Sequence, residues 1–395
     1  MKTWLMKALG ALLALAIATA IWLPCLHLVF KRTAADFATK QGLSPKARLL
    51  AARHLDLWTD PGLRDRELQR MRASNAEWDF MGRSFLVWSL ANMGLREPAS
   101  KQIYLETIDR IIEETLRLEA ENGMTFFLMR YAKARPYVVQ PARSLFIDGE
   151  IALMLASRRM LEEKESYKPL LAERVKLITT GLQQSPHLLL ESYPDECWMF
   201  DHCVALAAIR LADYLDGSDH SQLMQDWLAM ARQKLVHPES GLLVSSFTTA
   251  GKVLDGPEGS SIWMVAHCLQ LIDERFASEQ YARARKELGE TTMGFGYAHE
   301  WPASWHGPAD VDSGPIIPVL NISAGSSGMA FIGASAFADE PYLVKLATTL
   351  DFAAFPARNR GALKYCASNQ VGDAALLYAA TLGPIWQKVK SKDKT

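Results

Sequence analysis

From about residue 46 onward, apolar side chains recur at three- and four-residue spacing, and the every-second-residue alternation of strands is rare. That pattern restricts the body to helices that bury one stripe or are buried all round. Twelve segments carry it: 46–59, 77–94, 98–120, 144–163, 169–184, 200–216, 221–236, 260–274, 277–288, 325–338, 340–350 and 369–382. In 77–94, Trp78, Met81, Phe85, Trp88 and Leu90 form the stripe and Gly94 closes it. Pro98 opens the next helix at a first-turn position, where its missing N–H is harmless. Some links are tight, such as Asp216-Gly217-Ser218-Asp219 and Ala338-Asp339-Glu340-Pro341, whereas 121–143, 186–199, 237–259 and 289–324 are long. Twelve helices with short and long links in alternation predict an all-α fold, an (α/α)6 toroid of six helical hairpins whose long loops share one rim. A linear helical repeat is the alternative, but no fixed period supports it.

The N-terminus is different. Residues 8–30 are apolar apart from Thr19, Pro24 and His27, with Lys2 and Lys7 before them and Lys31 and Arg32 after. As a helix they would extend about 35 Å, enough to cross a bilayer. A cleavable signal has a shorter core. Cutting after Ala18-Thr19-Ala20 would leave residues 21–30 as an apolar new terminus, so an uncleaved signal anchor is the preferred reading. The chain then divides into a membrane segment, 1–32, and a barrel domain, 33–395. Flanking charge taken alone would keep the body cytoplasmic, because the positive side stays inside. Anchors with a short N-terminus usually export the chain beyond them, and a periplasmic or extracytoplasmic body is the expectation.

Composition narrows the partners. Lys and Arg total 43 against 44 Asp and Glu, and no basic block is interleaved with aromatics. A nucleic-acid partner is therefore not expected. Five cysteines form no metal-ligand spacing, so neither a structural metal nor a cofactor is expected. Cys197 and Cys203 are six apart and would either be bonded in an exported domain or remain as buried thiols.

Three segments hold the candidate chemistry. The densest is Glu191-Ser192-Tyr193-Pro194-Asp195-Glu196-Cys197-Trp198-Met199-Phe200-Asp201-His202-Cys203, which leads into a helix. Asp201 sits at the helix start, where it either caps free N–H groups or faces a cavity as an acid/base group. Asp195, Trp198 and His202 are its candidate substrate contacts. In the second segment Glu150 follows Gly149 and opens an apolar helix. It is either an exposed first-turn acid favoured by the helix dipole or a buried general acid. The third is the loop through Trp301, Trp305, His306, Asp310, Asp312, Ser313, Gly314 and Pro315. It is too long for a simple connector, and it adds Trp305, His306 and Asp312 as binding candidates. Asp56, beside Trp58, needs solvent or a partner. Trp263 belongs either to the core or to a cavity floor. No Gly-x-Ser-x-Gly, His-Glu-x-x-His or dinucleotide fingerprint is present.

At Tyr193-Pro194-Asp195 and Asp213-Tyr214-Leu215-Asp216-Gly217-Ser218-Asp219 the chain resembles the linalool dehydratase/isomerase family. The likeness continues through His237-Pro238-Glu239-Ser240-Gly241, the helix 260–269, the loop 312–314 and the hairpin 325–339. It covers most of the body at low identity. It implies an (α/α)6 barrel, an exported location and a ring-shaped homo-oligomer. The family works on a terpene alcohol with two cysteines, a histidine, a tyrosine and acidic residues. Matched position by position, a family aspartate falls on Asp56, the histidine on Glu150, and the two cysteines on Asp201 and Ser192. Oxygen groups thus replace the thiols, while Cys197 and Cys203 lie out of register.

There remains a barrel with three candidate catalytic carboxylates, Asp56, Glu150 and Asp201. Such groups suit protonation of a C–O leaving group and stabilisation of the cation left behind. The leading expectation is a membrane-anchored enzyme that cleaves a C–O bond in a glycan. The alternatives are dehydration or isomerisation of a hydroxylated isoprenoid, and a non-catalytic module that binds a glycan or lipid.

Overall fold

A computed structural model describes residues 2–39, 41–309, 311 and 313–392. An apolar helix, α1 (Lys2–Cys25), leads through two single-turn helices, α2 (His27–Phe30) and α3 (Ala34–Phe37), into the body. The body helices are α4 (Pro45–Thr59), α5 (Pro61–Ser74), α6 (Ala76–Arg96), α7 (Lys101–Asn122), α8 (Leu145–Leu161), α9 (Lys168–Gln184), α10 (Met199–Asp216), α11 (Ser221–Lys234) and α12 (Gly259–Leu269). They continue with α13 (Glu274–Glu287), α14 (Ala324–Ala336), α15 (Glu340–Ala353), α16 (Gln370–Thr381) and α17 (Pro384–Lys392).

Six of these helices form a closed ring. α6 packs on α8, α8 on α10, α10 on α12, α12 on α14, α14 on α16, and α16 back on α6. Their sequences explain the position. Every residue of α8 is buried, and α10 and α12 are apolar almost all round, so only an interior site satisfies them. The helices between them are amphipathic. α7 buries Tyr104, Leu105, Ile108, Ile111 and Ile112 and turns its charged residues outward. α7 covers the α6–α8 seam, α9 the α8–α10 seam, α13 backs α12, α15 backs α14 and α4 backs α16. On α11, the fully buried Trp227 stacks on His202 of α10 at 6.0 Å. The twelve expected helices are all present, and the (α/α)6 toroid is the fold.

The links sort by length as expected. Inner-to-outer connections are turns, and Gly217 closes α10 in the left-handed region that a residue without Cβ adopts freely. Outer-to-inner connections are long and gather on the rim formed by the N-termini of the inner helices. They contain short antiparallel strands. β1 (Cys197–Trp198), β2 (Ser246–Phe247) and β3 (Val253–Asp255) make one small sheet. β4 (Gly289–Thr292) pairs with β5 (Phe295–Ala298), β6 (Ile316–Ile317) with β7 (Ile322–Ser323), and β8 (Pro356–Asn359) with β9 (Ala362–Tyr365).

Two helices longer than a single turn were not expected. α5 has few apolar positions and an Arg/Asp/Glu-rich surface, so its periodicity is faint. Asp60 caps it by accepting the Leu63 N–H at 3.0 Å, and Pro61 stands at its first turn. α17 buries only Ile385, Trp386 and Val389. The five cysteines are free thiols: Cys197, Cys203 and Cys268 are buried, and Cys25 and Cys366 are exposed. The Cys197–Cys203 bond is therefore absent.

Candidate active site

The inner-helix N-termini surround a cavity of about 670 Å³. Its wall is mostly apolar: Trp78, Met81 and Phe85 of α6, Phe146 of α8, Phe200 of α10 and Phe331 of α14 contribute. Glu77 and Asp201 line the side formed by α6, α8 and α10, its acidic end, and Glu258 lines it at the start of α12. No lysine, arginine or histidine lines the cavity among the described residues. The wall therefore offers Asp201 no cation to hold it ionised.

Asp201 lies in the first turn of α10 and is almost fully buried. Ser192 Oγ donates to its Oδ2. Burial raises the Asp201 pKa to about 7, the Ser192 hydrogen bond opposes that rise, and nearby Glu196 adds to it. A carboxylic acid is thereby kept partly protonated at neutral pH on a cavity wall. Ser192 is itself fixed: its carbonyl accepts from Ser144 Oγ at 2.8 Å and Tyr137 Oη at 3.1 Å.

Glu150 lies one helix along the ring, on α8 between α6 and α10, and is fully buried. Its pKa is pushed well above the usual carboxylate range, by burial first and by Asp201 and Glu77 in addition, against the Ser84 hydrogen bond. Ser84 Oγ lies 2.5 Å from Glu150 Oε2 and 3.2 Å from the Phe80 carbonyl. One hydroxyl proton cannot serve two acceptors, whereas a protonated Glu150 relieves the conflict by donating to Ser84. The other oxygen, Oε1, has no hydrogen-bond partner. Gly149 explains why the two acids are close. A Cβ there would meet Ala205 Cβ at 3.1 Å and its Cα at 3.3 Å, so the missing side chain lets α8 lie close against α10. Ala205 is one turn below Asp201 on that helix.

Glu77 and Tyr193 complete the acidic end. Tyr193 Oη donates to Glu77 Oε1 and accepts the Met129 N–H at 2.9 Å, and its ring stacks on Tyr131 at 4.4 Å. Burial first, then Glu77, raises the Tyr193 pKa, which keeps the phenol neutral. Sequence reasoning missed Glu77. Its signal was available, because it is an acid in the first turn of an inner helix, as Asp201 is.

The remaining candidates separate into several environments. Trp198 lines the cavity and donates Nε1–H to Glu196 Oε1 at 2.7 Å. Asp56 must be corrected. It is exposed on the outer helix α4 and is not among the cavity residues, because its position on that amphipathic helix points to solvent. Asp195 is also corrected to a loop staple. It sits at φ 49° and accepts from Thr249 N at 3.2 Å and Thr249 Oγ1 at 2.9 Å.

His202 is buried off the cavity. Its Nδ1 lies 2.7 Å from the Trp198 carbonyl, and its Nε2 accepts the Leu190 N–H at 3.1 Å. Burial lowers its pKa to about 4, against the Trp198 hydrogen bond, so it is a neutral strut between α10 and the loop before it. Trp263 is core, with Nε1–H donating to Ser326 Oγ at 3.2 Å between α12 and α14. Trp305 folds over its own loop, donating to the Pro308 carbonyl at 2.8 Å, and borders a separate recess with His237 and Val253. His306 is exposed and lines neither. Asp312 lies outside the described residues, while its neighbours Ser313, Gly314 and Pro315 reach the cavity. Among the described residues no group of three His, Cys, Asp or Glu is placed to hold a metal ion.

No family model and no curated protein matches this chain. Solved structures that are similar to it include a GH76 alpha-mannanase of Bacteroides thetaiotaomicron, at 11% identity and TM-score 0.49, covering 79% of this chain and 87% of that one. The GH76A alpha-1,6-mannanase of Salegentibacter sp. HEL1_6 is 13% identical, with TM-score 0.48 over 78% of this chain and 89% of that one. A D-mannose isomerase is 12% identical, with TM-score 0.45 over 76% and 86%. The ring of inner helices stands on its own packing, independent of these likenesses, and no activity follows from them.

Proposed function

We propose that the chain is an acid/base enzyme that cleaves a C–O bond, with Asp201 as the proton donor. The observation that carries this reading is a cavity-lining carboxyl with a pKa of about 7 and no cation beside it. Asp201 gives its proton to the substrate oxygen, the C–O bonding pair leaves with that oxygen, and the carbon becomes cationic. The carboxylate so formed, the Glu77 carboxylate and the faces of Trp78 and Trp198 stabilise that carbon. Return of a proton to Asp201, from the adjacent carbon or from an attacking water, completes the cycle. Glu150 acts from behind as a neutral acid that keeps negative charge from accumulating next to Asp201.

The mostly apolar wall supports a substrate whose bulk is hydrocarbon. Dehydration or isomerisation of a hydroxylated isoprenoid, the reaction type implied by the family resemblance, fits that wall. A glycosidic bond is the second reading, favoured by the aromatic residues Trp78, Trp198 and Tyr193 beside the acids. The exposed apolar span Thr3–Phe30 supports a membrane anchor that leaves the body at the membrane surface.

The test is turnover on a panel of hydroxylated isoprenoids and mannosides, using wild type, Asp201→Asn and Glu150→Gln. The expected result is a product with one class, formed far more slowly by Asp201→Asn. Wild-type-like turnover by Asp201→Asn would sink the assignment.

A further inference from the structure

The cavity has a second, apolar end. It runs past the N-terminal turns of α14 and α16, where Gly325, Gly328 and Gly372 carry no side chain, to Leu350 and Ala353 of α15 and Ala354 just beyond it. A Cβ at Gly328 would meet nothing within 4 Å, so this arm is open space. Ile317 and Ile322 of the β6–β7 hairpin form its lip.

The same sector carries the N-terminal helix. α2 packs on α15. Phe30 meets Phe352 at 5.1 Å, His27 meets Phe295 at 6.3 Å, and Arg32 pairs with Asp351 at 3.4 Å. The apolar span Thr3–Phe30 therefore leaves the body beside the cavity's apolar arm.

The surface around that exit is unusual. Beyond residue 30, eleven large apolar side chains are exposed among the described residues, and six of them, Met293, Ile317, Val319, Leu320, Phe352 and Phe355, fall in these elements. Met293 adjoins Gly294, whose backbone lies against the His27 ring. Val319 is fully exposed at a hairpin tip, and Ile317 is both half exposed and part of the cavity lip. A water-soluble surface scatters such residues, and a cluster of them marks a contact.

We infer that this sector rests on the bilayer that holds α1, so that the apolar arm opens to lipid and admits a membrane-dissolved amphiphile with its polar end toward Asp201. The bilayer is the occupant because the anchor helix emerges within the patch itself. The inference rests on the membrane-anchored reading of α1, and it deepens the reading of the substrate as largely hydrocarbon.

Spin labels test it in the full chain, reconstituted in vesicles of phosphatidylcholine and phosphatidylglycerol. With Cys25 replaced by Ser, one sample is labelled at the native Cys366, an exposed cavity residue. With Cys366 also replaced by Ser, Val319→Cys, Phe355→Cys and Leu177→Cys are labelled singly. Leu177 lies on α9, across the ring from α15, and serves as the aqueous reference. Labels at 319, 355 and 366 are expected to relax several-fold more with oxygen, relative to a water-soluble nickel chelate, than the label at 177. Circular dichroism verifies that each labelled chain is folded, and two independent patch positions guard against one failing. If the protein floats with the vesicles but these labels meet the chelate as the Leu177→Cys label does, the docking is overturned while the anchor stands. If the protein does not float, the anchor reading itself fails, and the docking with it. Neither outcome bears on Asp201, whose role is read by turnover.

Discussion

The two ends of the one cavity are built from the same fold by opposite means. At the α8–α10 side, a glycine draws two apolar helices together and buries Glu150 and Asp201 between them. At the α14–α16 side, Gly328 stands where a side chain would otherwise fill space, and the described wall residues there include no acid. The first arrangement desolvates a carboxyl, and the second leaves apolar space. On the proposed reading, chemistry and substrate bulk then occupy separate sectors of the ring, so each can be broken alone.

The largest effect is expected from Asp201→Asn, which removes the donor. Turnover should fall by roughly 10²–10⁴-fold, the usual worth of a positioned acid, with the fold intact by circular dichroism. In wild type, the rate should fall as pH rises past about 7, because the acid form is lost there. Filling the other end sharpens the contrast. Gly328→Phe should lower kcat/KM on a long apolar substrate about 10–100-fold and leave the melting temperature nearly unchanged, because its side chain enters open space.

A smaller effect distinguishes support from chemistry. His202→Ala deletes a strut that accepts from Leu190 N and holds the Trp198 carbonyl, and should cost about 2–4 kcal/mol in denaturant unfolding. It should disturb the acidic end more than the apolar arm.

Stability against pH gives the next size. The folded-state pKa of Asp201 lies above that of the unfolded chain, so the native state binds the proton more tightly. That contribution is fully present below about pH 4 and is lost as pH rises to about 7. Asp201→Asn should remove the decline, which is at most about 1.4 kcal/mol per pH unit, and so gain stability relative to wild type above pH 7. The smallest change is expected at Asp56. Asp56→Asn should leave turnover within about twofold, since an exposed surface change rarely moves stability by more than about 0.5 kcal/mol.

Periodicity carried the fold well. All twelve toroid helices announced themselves through apolar spacing, and link length separated the rim that holds the cavity from the other one. α5 was hidden because its stability comes from a cap and ion pairs such as Arg64–Glu114 rather than from an apolar stripe. The site was legible in part. The segment from Glu191 to Cys203 drew notice by its density of acids and aromatics, and it delivers Ser192, Tyr193, Trp198 and Asp201 to one place. Spacing does not reveal which face of a helix meets the cavity, however. His202 is next to Asp201 in sequence but turned about 100° around the helix, into the Trp227 and Phe247 rings. Trp263 and Asp56 failed for the same reason, one turned into the core and the other into solvent. The apolar arm left no motif, because its open space lies where Gly328 lacks a side chain.

The proposed reaction turns on the protonation of one buried acid. A ¹³C NMR titration of aspartate side-chain carboxyls, with Asp201 assigned by its disappearance in Asp201→Asn, reads it directly. The expected midpoint for that signal is near pH 7. A midpoint near the ordinary aspartate value, about 4, would contradict the proposed role and leave the cavity without its proton donor.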